Sequence, residues 1–220
     1  MHVIDRARES DASSIVVATD DERIASVCTD AGAEVEMTDI AHVSGTDRIA
    51  EVATRRGWAD DCVIVGLQGD EPATPASMLN QLAGNLSTFN DANMASFCIP
   101  VSSVDEYRNS HRVKVVRDHR NMALYFSRAS IPARRDDTTS SDFPESFIHV
   151  GLYAYRCHFL KQFSTMAPAY IEEQEQLEQL RVLYNGGRIH VDEVREAAAG
   201  VDHTDDVPVI EALLKQHFQS

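Results

Sequence analysis

CVIVGLQGDEP, residues 62–72, decides the fold. Cys62–Leu67 is an uninterrupted apolar, β-branched run, the pattern of a strand buried on both faces of a parallel sheet. It ends at Gln68-Gly69-Asp70-Glu71-Pro72, where Gly69 permits a tight turn or the close approach of a ligand. Upstream, SIVVAT at 14–19 repeats the pattern and stops at Asp20-Asp21. A helix follows over Asp21–Ala31, halted by Gly32, then a short strand at Val35–Met37. A helix over Ser44–Arg56 comes next, with Ser44 as N-cap and Asp47 three residues on. Residues 1–10 read as a helix with Val3, Ile4 and Ala7 on one face.

Downstream, Pro75–Leu86 reads as a helix, and 94–101, 113–117, 123–128 and 149–156 as strands. A polar loop fills 133–146, and a short helix spans 156–165. Tyr170–Tyr184 is expected to be one acidic helix with Leu177, Leu180 and Leu183 turned inward and its carboxylates solvated. A strand at 188–194 and a closing helix at 207–218 complete the chain. The early strand–helix alternation argues for an α/β, doubly wound sheet. The strand-rich middle, about 94–156, either extends that sheet or forms a smaller lobe of mixed pairing. Ligands of such sheets bind beyond the carboxyl ends of the strands, which directs attention to Asp20, Asp70 and the loop around Asp202.

Composition narrows the function. The 220 residues suit one domain, or one with a small lobe. The formal charge of −15 disfavours nucleic acid and anionic membranes as partners. A small anion remains compatible if arginines, backbone N–H groups or a divalent metal meet it locally. No stretch is long and apolar enough to span a membrane, and MHVIDRARES lacks the apolar centre of a signal peptide. Cys28, Cys62, Cys98 and Cys157 are far apart with no CxxC pair, so they read as thiols in a reducing cytoplasm.

Several positions admit both a chemical and a structural role. Asp70 is either an oxygen ligand for Mg²⁺ or a turn and cap residue. Asp202, in Gly200-Val201-Asp202, is either a second ligand or part of the cap of the last helix. Ser44, Gly45, Thr46 and Arg48 form a donor set for a base or phosphate, or merely a capped helix start. Arg128 either clamps a carboxylate or pairs with a surface acid. His149 and Tyr153 share a strand face that is either pocket or core. HExxH, GxSxG, Walker and GxGxxG patterns are absent, which removes the corresponding hydrolase, NTPase and dehydrogenase readings.

IVVATDDERI, HVSGTDRIAEV, LQGDEP, VKVV, ALYFSRASIP, HVGLYAYR, LEQLRVL, RIHV and GVD occur in this order over nearly the whole chain. That set resembles the 3-deoxy-manno-octulosonate cytidylyltransferases, the CMP-Kdo synthetases. The resemblance implies a nucleotide-diphospho-sugar transferase-like three-layer fold with a mixed, mostly parallel sheet. It makes residues 1–220 one nucleotidyltransferase domain, with about 94–156 as a dimerisation lobe. The implied reaction passes CMP from CTP to a 3-deoxy-2-ulosonic acid, Kdo or 8-amino-Kdo, in cytoplasmic, Mg²⁺-dependent homodimers of lipopolysaccharide assembly. By resemblance, Asp70 and Asp202 hold metal, and Ser44, Gly45 and Thr46 bind nucleotide, with Arg48 nearby. Gln68, Arg128, His149, Tyr153, Glu178 and Gln179 grip the sugar acid, with Asp70, Asp202 and Arg128 as the catalytic set.

The family pattern opens with a strand and a Gly/Arg/Lys loop of the PARxxSxRxPGKPL type around the CTP phosphates. This sequence opens on a helix instead. The strand and its loop are therefore expected to be missing, with CTP binding weakened. His203-Thr204 also follows GVD where the family more often has Thr-Pro. Two other readings stand beside the enzyme: a related CMP-sugar synthetase, and a shortened remnant that binds sugar acid or only dimerises.

Overall fold

A computed structural model describes residues 1–42, 44–135, 143–195, 197, 200–201 and 206–217, with 215–217 as backbone only. The chain divides into two compact units. The first comprises Met1–Gly84, Arg156–Ser164 and Ala198–Ser220, and the second Asn85–Tyr155 and Thr165–Ala197.

In the first unit, α1 (His2–Arg8) precedes β1 (Val16–Thr19), α2 (Glu22–Asp30) and β2 (Glu34–Met37). β1 and β2 pair in parallel from Val16↔Glu34 to Thr19↔Met37, the geometry that a helical crossover imposes. Asp21 caps α2 through the N–H groups of Arg23 and Ile24, and Gly32, at φ +73, turns the chain afterwards. Helix α3 (Gly45–Arg55) is capped by Ser44, whose hydroxyl accepts from the Asp47 N–H at 3.1 Å, as the sequence suggested. β3 (Val63–Gly66) is the core of the CVIVGL run, and α4 (Ala76–Thr88) follows. Helix α6 (Cys157–Phe163) returns to this unit and packs on α3. The Cys157 N–H donates to the Cys62 carbonyl at 2.9 Å, and Lys161 Nζ donates to the Trp58 carbonyl at 2.7 Å. Ala50, Val52, Ala53, Leu82 and Leu160 are buried there.

The second unit carries β4 (Met94–Pro100), α5 (Val104–Arg108), β5 (Lys114–Arg117), β6 (Ala123–Ser127), β7 (Phe147–Arg156) and β8 (Ile189–Glu193). Its strands run in the order β6-β5-β7-β4-β8. β4 pairs with β8 in parallel and with β7 antiparallel, and β5 is antiparallel to both β6 and β7. The chain is thus an α/β protein with a mixed sheet, as expected. Phe97, Phe126, Leu152, Leu180 and Ile189 fill the core of this unit. The short helix α5 is not among the elements expected from the sequence.

The acidic helix expected over Tyr170–Tyr184 is instead two short ones, α7 (Tyr170–Glu175) and α8 (Gln179–Tyr184), broken at Gln176 with φ 54. Its carboxylates do not all form a solvated face: Glu173 is exposed, but Glu172 and Glu175 are engaged inside the protein. Glu172 accepts from the Ala169 N–H at 3.0 Å and from two Arg181 nitrogens at 2.9 and 2.6 Å, with both side chains about nine-tenths buried. A straight helix would carry its acids outward; the break turns Glu172 and Glu175 into the protein. Glu172→Ala takes the carboxylate from a buried guanidinium and is expected to cost about 3–5 kcal/mol in urea denaturation. Glu172→Leu combined with Arg181→Met should recover most of that loss.

Candidate active site

The sequence-selected residues fall into two sets, one in each unit. In the first unit, α3 begins at the SGT segment. Ser44 spends its hydroxyl on its cap, also donating to Asp47 at 2.8 Å, and Thr46 is buried. Gly45 lies against Gln68: a Cβ at position 45 would stand 2.7 Å from the Gln68 amide nitrogen. The residue type at 45 therefore leaves space for a side chain placed by the QGDEP turn, and the two motifs are one local structure. Arg48 meets Asp20 at 3.2 Å and also donates to the Thr38 hydroxyl. It joins the segments that follow β1 and β2, so its guanidinium is engaged inside the unit.

Asp70 is exposed just after β3, and its carboxylate has no partner among the described residues. Its backbone carbonyl accepts from the Val201 N–H at 2.8 Å. A Cβ on Gly200 would stand 3.3 Å from that same oxygen. The glycine of GVD thus permits a close backbone approach to QGDEP, and two motifs far apart in sequence meet. Asp202 itself lies outside the described residues.

In the second unit, β6 delivers Arg128 at its end. The guanidinium donates to the carbonyls of Glu175 at 2.7 Å, Ser110 at 3.3 Å and Gln176 at 3.4 Å. Arg128 is therefore neither a loose surface cation nor half of a surface ion pair. Glu178 is the N-cap residue of α8, and Gln179, in its first turn, is buried.

His149 and Tyr153 share a face of β7, with ring centroids 5.4 Å apart, and His149 sits edge-on to Phe126 at 5.0 Å. The β4–β7 register shifts between Ala95 and Phe97, and Ser96 sits at that irregularity. Its hydroxyl lies 2.9 Å from the Val150 carbonyl, 3.0 Å from that of Leu152 and 2.9 Å from His149 Nε2. A hydroxyl has one proton, and the carbonyls can only accept it. His149 Nε2 must then donate to Ser96, which leaves Nδ1 as an acceptor. Burial pushes the His149 pKa down to about 3, so the ring stays neutral.

Sequence reasoning missed Lys114, Ser127 and Glu175, which bind the backbone around Arg128. One signal was available: Lys114 interrupts an apolar strand, VKVV, where a charge must be either solvated or fully bonded.

A cytidylyltransferase family profile matches residues 1–189. The 3-deoxy-manno-octulosonate cytidylyltransferase of Thioalkalivibrio sulfidiphilus is 47% identical over 218 residues, 97% of this chain and 87% of that one. The enzyme of that name from Haemophilus influenzae is 43% identical over 221 residues, with 97% and 87% coverage. A solved CMP:2-keto-3-deoxy-manno-octonic acid synthetase complexed with CTP superposes with TM-score 0.88 at 34% identity, over 98% of this chain and 87% of that one. A 4-diphosphocytidyl-2C-methyl-D-erythritol synthase, at TM-score 0.62 and 13% identity, shares the fold. The class is thus that of the cytidylyltransferases. Within it, this chain belongs to the 3-deoxy-manno-octulosonate cytidylyltransferase family.

The neutral His149 has a measurable consequence. Its folded pKa lies below the ordinary 6.5, so the unfolded chain binds the extra proton. Its contribution to stability is complete above about pH 6.5 and is lost as pH falls toward about 3. NMR of the imidazole should show no titration between about pH 8 and 5, and His149→Gln should flatten the acid loss of stability. A ring titrating near 6.5 would contradict the assignment.

Proposed function

We infer that this chain transfers CMP from CTP to the anomeric hydroxyl of the 3-deoxy-2-ulosonic acid Kdo, releasing pyrophosphate, in lipopolysaccharide biosynthesis. Family membership over nearly the whole chain carries this reading, with the family's motifs at Gly45, Gln68, Asp70 and Arg128. The first unit is assigned to the nucleotide, through Ser44, Gly45 and Thr46. The engagement of Arg48 with Asp20 gives that residue a supporting role. The second unit is assigned to the sugar acid, through Arg128, His149, Tyr153, Glu178 and Gln179.

In the reaction the sugar oxygen forms a bond to the α-phosphorus, the bond from that phosphorus to the β-phosphate oxygen breaks, and the hydroxyl proton is lost. Nothing in this needs a covalent enzyme intermediate; rate comes from positioning and from charge stabilisation. Arg128 keeps N–H groups beyond those spent on carbonyls, since a guanidinium has five donors. These suit the sugar carboxylate. The lone pair on neutral His149 Nδ1 suits a sugar hydroxyl as donor.

The residues also fit a divalent metal. Asp70 offers an exposed carboxylate of the hard-oxygen type that Mg²⁺ takes, and the Val201–Asp70 backbone bond anchors the segment that leads to Asp202. When bound by Asp70 and Asp202, the metal would neutralise phosphate charge and lower the pKa of the attacking hydroxyl. The free thiols of Cys28, Cys62, Cys98 and Cys157 support a cytoplasmic setting. Among the described residues no helix is long and apolar enough to cross a membrane. A homodimer formed through the 94–156 lobe is proposed from the family resemblance, with the edge strand β6 and its exposed Leu124 as the place to test it.

Pyrophosphate release from CTP should require Kdo. Arg128→Ala should raise KM for Kdo by about 10–150-fold, the loss of a charged hydrogen bond of about 1.5–3 kcal/mol, and leave KM for CTP nearly unchanged. Equal effects on both substrates would assign Arg128 to structure. In sedimentation analysis, Leu124→Lys should shift a dimer toward monomer.

A further inference from the structure

Lys114 is fully buried at the start of β5, with 0% of its surface exposed. An ammonium has three donors, and all three are used. Nζ donates to the carbonyls of Asn109 at 2.8 Å, Arg112 at 2.6 Å and Arg128 at 2.8 Å. The first two belong to the turn between α5 and β5, and the third ends β6. From the other side comes Glu175, the last residue of α7. One of its carboxylate oxygens accepts from the Ser127 hydroxyl at 2.6 Å, and the other from the Arg128 N–H at 2.9 Å. The Arg128 backbone is thus held at its N–H by an anion and at its C=O by a cation. The same Glu175 supplies the carbonyl that accepts from Arg128 Nε at 2.7 Å, beside Gln176 in its left-handed conformation.

Core packing does not call for this arrangement. An apolar residue at 114 would fit the VKVV strand without the cost of removing a charge from water. What an ionised pair provides here is a fixed position for the two peptide units that flank the Arg128 Cα, and so for the guanidinium it carries. Burial and the neighbouring Arg128 charge push the Lys114 pKa below its ordinary value, and the Glu175 charge offsets part of that.

We propose that Lys114 and Glu175 are positioning residues for substrate recognition, an ammonium and a carboxylate that grip the C=O and the N–H of Arg128, in the two peptide units flanking its Cα, and fix its guanidinium. The proposal rests on the reading of Arg128 as the group that meets the sugar carboxylate. Its cost if undone is large, because a misplacement of about 1 Å in a positioned group can cost about 100-fold.

The test has two arms on the full chain. In the first, hydrogen exchange at the Arg128 amide is compared between wild type, Lys114→Met and Glu175→Gln. Both variants should accelerate exchange there by about 10-fold or more while amides of β4 keep their rates, a local opening rather than a global one. Unchanged exchange at Arg128, or acceleration only in step with β4, overturns the clamp whatever the substrate is. In the second arm, Lys114→Met and Glu175→Gln should each raise KM for Kdo by about 10–100-fold with kcat and KM for CTP little changed. In the Arg128→Ala background the same substitutions should add less than about 2-fold, because they act through that residue. Additive losses would make Lys114 and Glu175 merely structural. If Arg128→Ala alone leaves KM for Kdo unchanged, the assignment of Arg128 falls, and the exchange arm still decides whether its peptide is clamped.

Discussion

Three hydrogen bonds from one buried ammonium hold the proposed sugar-acid face of the second unit in order. Removing the Lys114 charge from water is tolerable only because its donors all find carbonyls, and those carbonyls come from three places: Asn109, Arg112 and Arg128. The α5–β5 turn and the end of β6 are thereby tied to one atom. Glu175 completes the arrangement from α7, and it reaches inward because the chain breaks at Gln176. The break in turn is braced by the Glu172–Arg181 pair between α7 and α8. A series of buried charges, each bonded on several sides, leads from the helix break to the guanidinium of Arg128.

This organisation answers a problem posed by composition. A chain with a formal charge of −15 repels anions at long range, yet the assigned substrates are a nucleoside triphosphate and a sugar acid. Attraction must be local and preorganised. In the second unit its proposed source is Arg128, whose backbone and side chain are both held by hydrogen bonds. In the first unit Gly45 packs on Gln68, and Gly200 and Val201 pack on the Asp70 carbonyl, which gathers three motifs around one strand end. His149 belongs to the same logic in neutral form: Ser96 fixes its tautomer, and burial keeps it uncharged.

The strands and most helices were legible because their signals are local. SIVVAT and CVIVGL are apolar runs of strand length, and Asp21 and Ser44 are cap residues immediately before amphipathic segments. The motifs QGDEP, SGT and YFSR were legible for the same reason, and the proposed site is read from them. What could not be read is what depends on distant partners. The helix break at Gln176 follows from acids finding Arg181, Ser127 and Arg128, and no periodicity announces that. Lys114 stood in the sequence as an oddity in a valine-rich strand, but its three carbonyls come from residues whose proximity only the fold supplies. The α5 helix is a single capped turn at Ser103, too short for a hydrophobic pattern to reveal.

The account stands or falls on whether a fixed Arg128 reads the carboxylate of the substrate. The direct measurement alters the substrate rather than the protein's fold: kcat/KM for Kdo is compared with that for its C1 carboxamide, in wild type and in Arg128→Ala. The account predicts that wild type prefers the acid by about 10–150-fold, the value of a charged hydrogen bond, and that Arg128→Ala loses most of this preference. An undiminished preference for the acid in Arg128→Ala would contradict it and would place carboxylate recognition elsewhere in the chain.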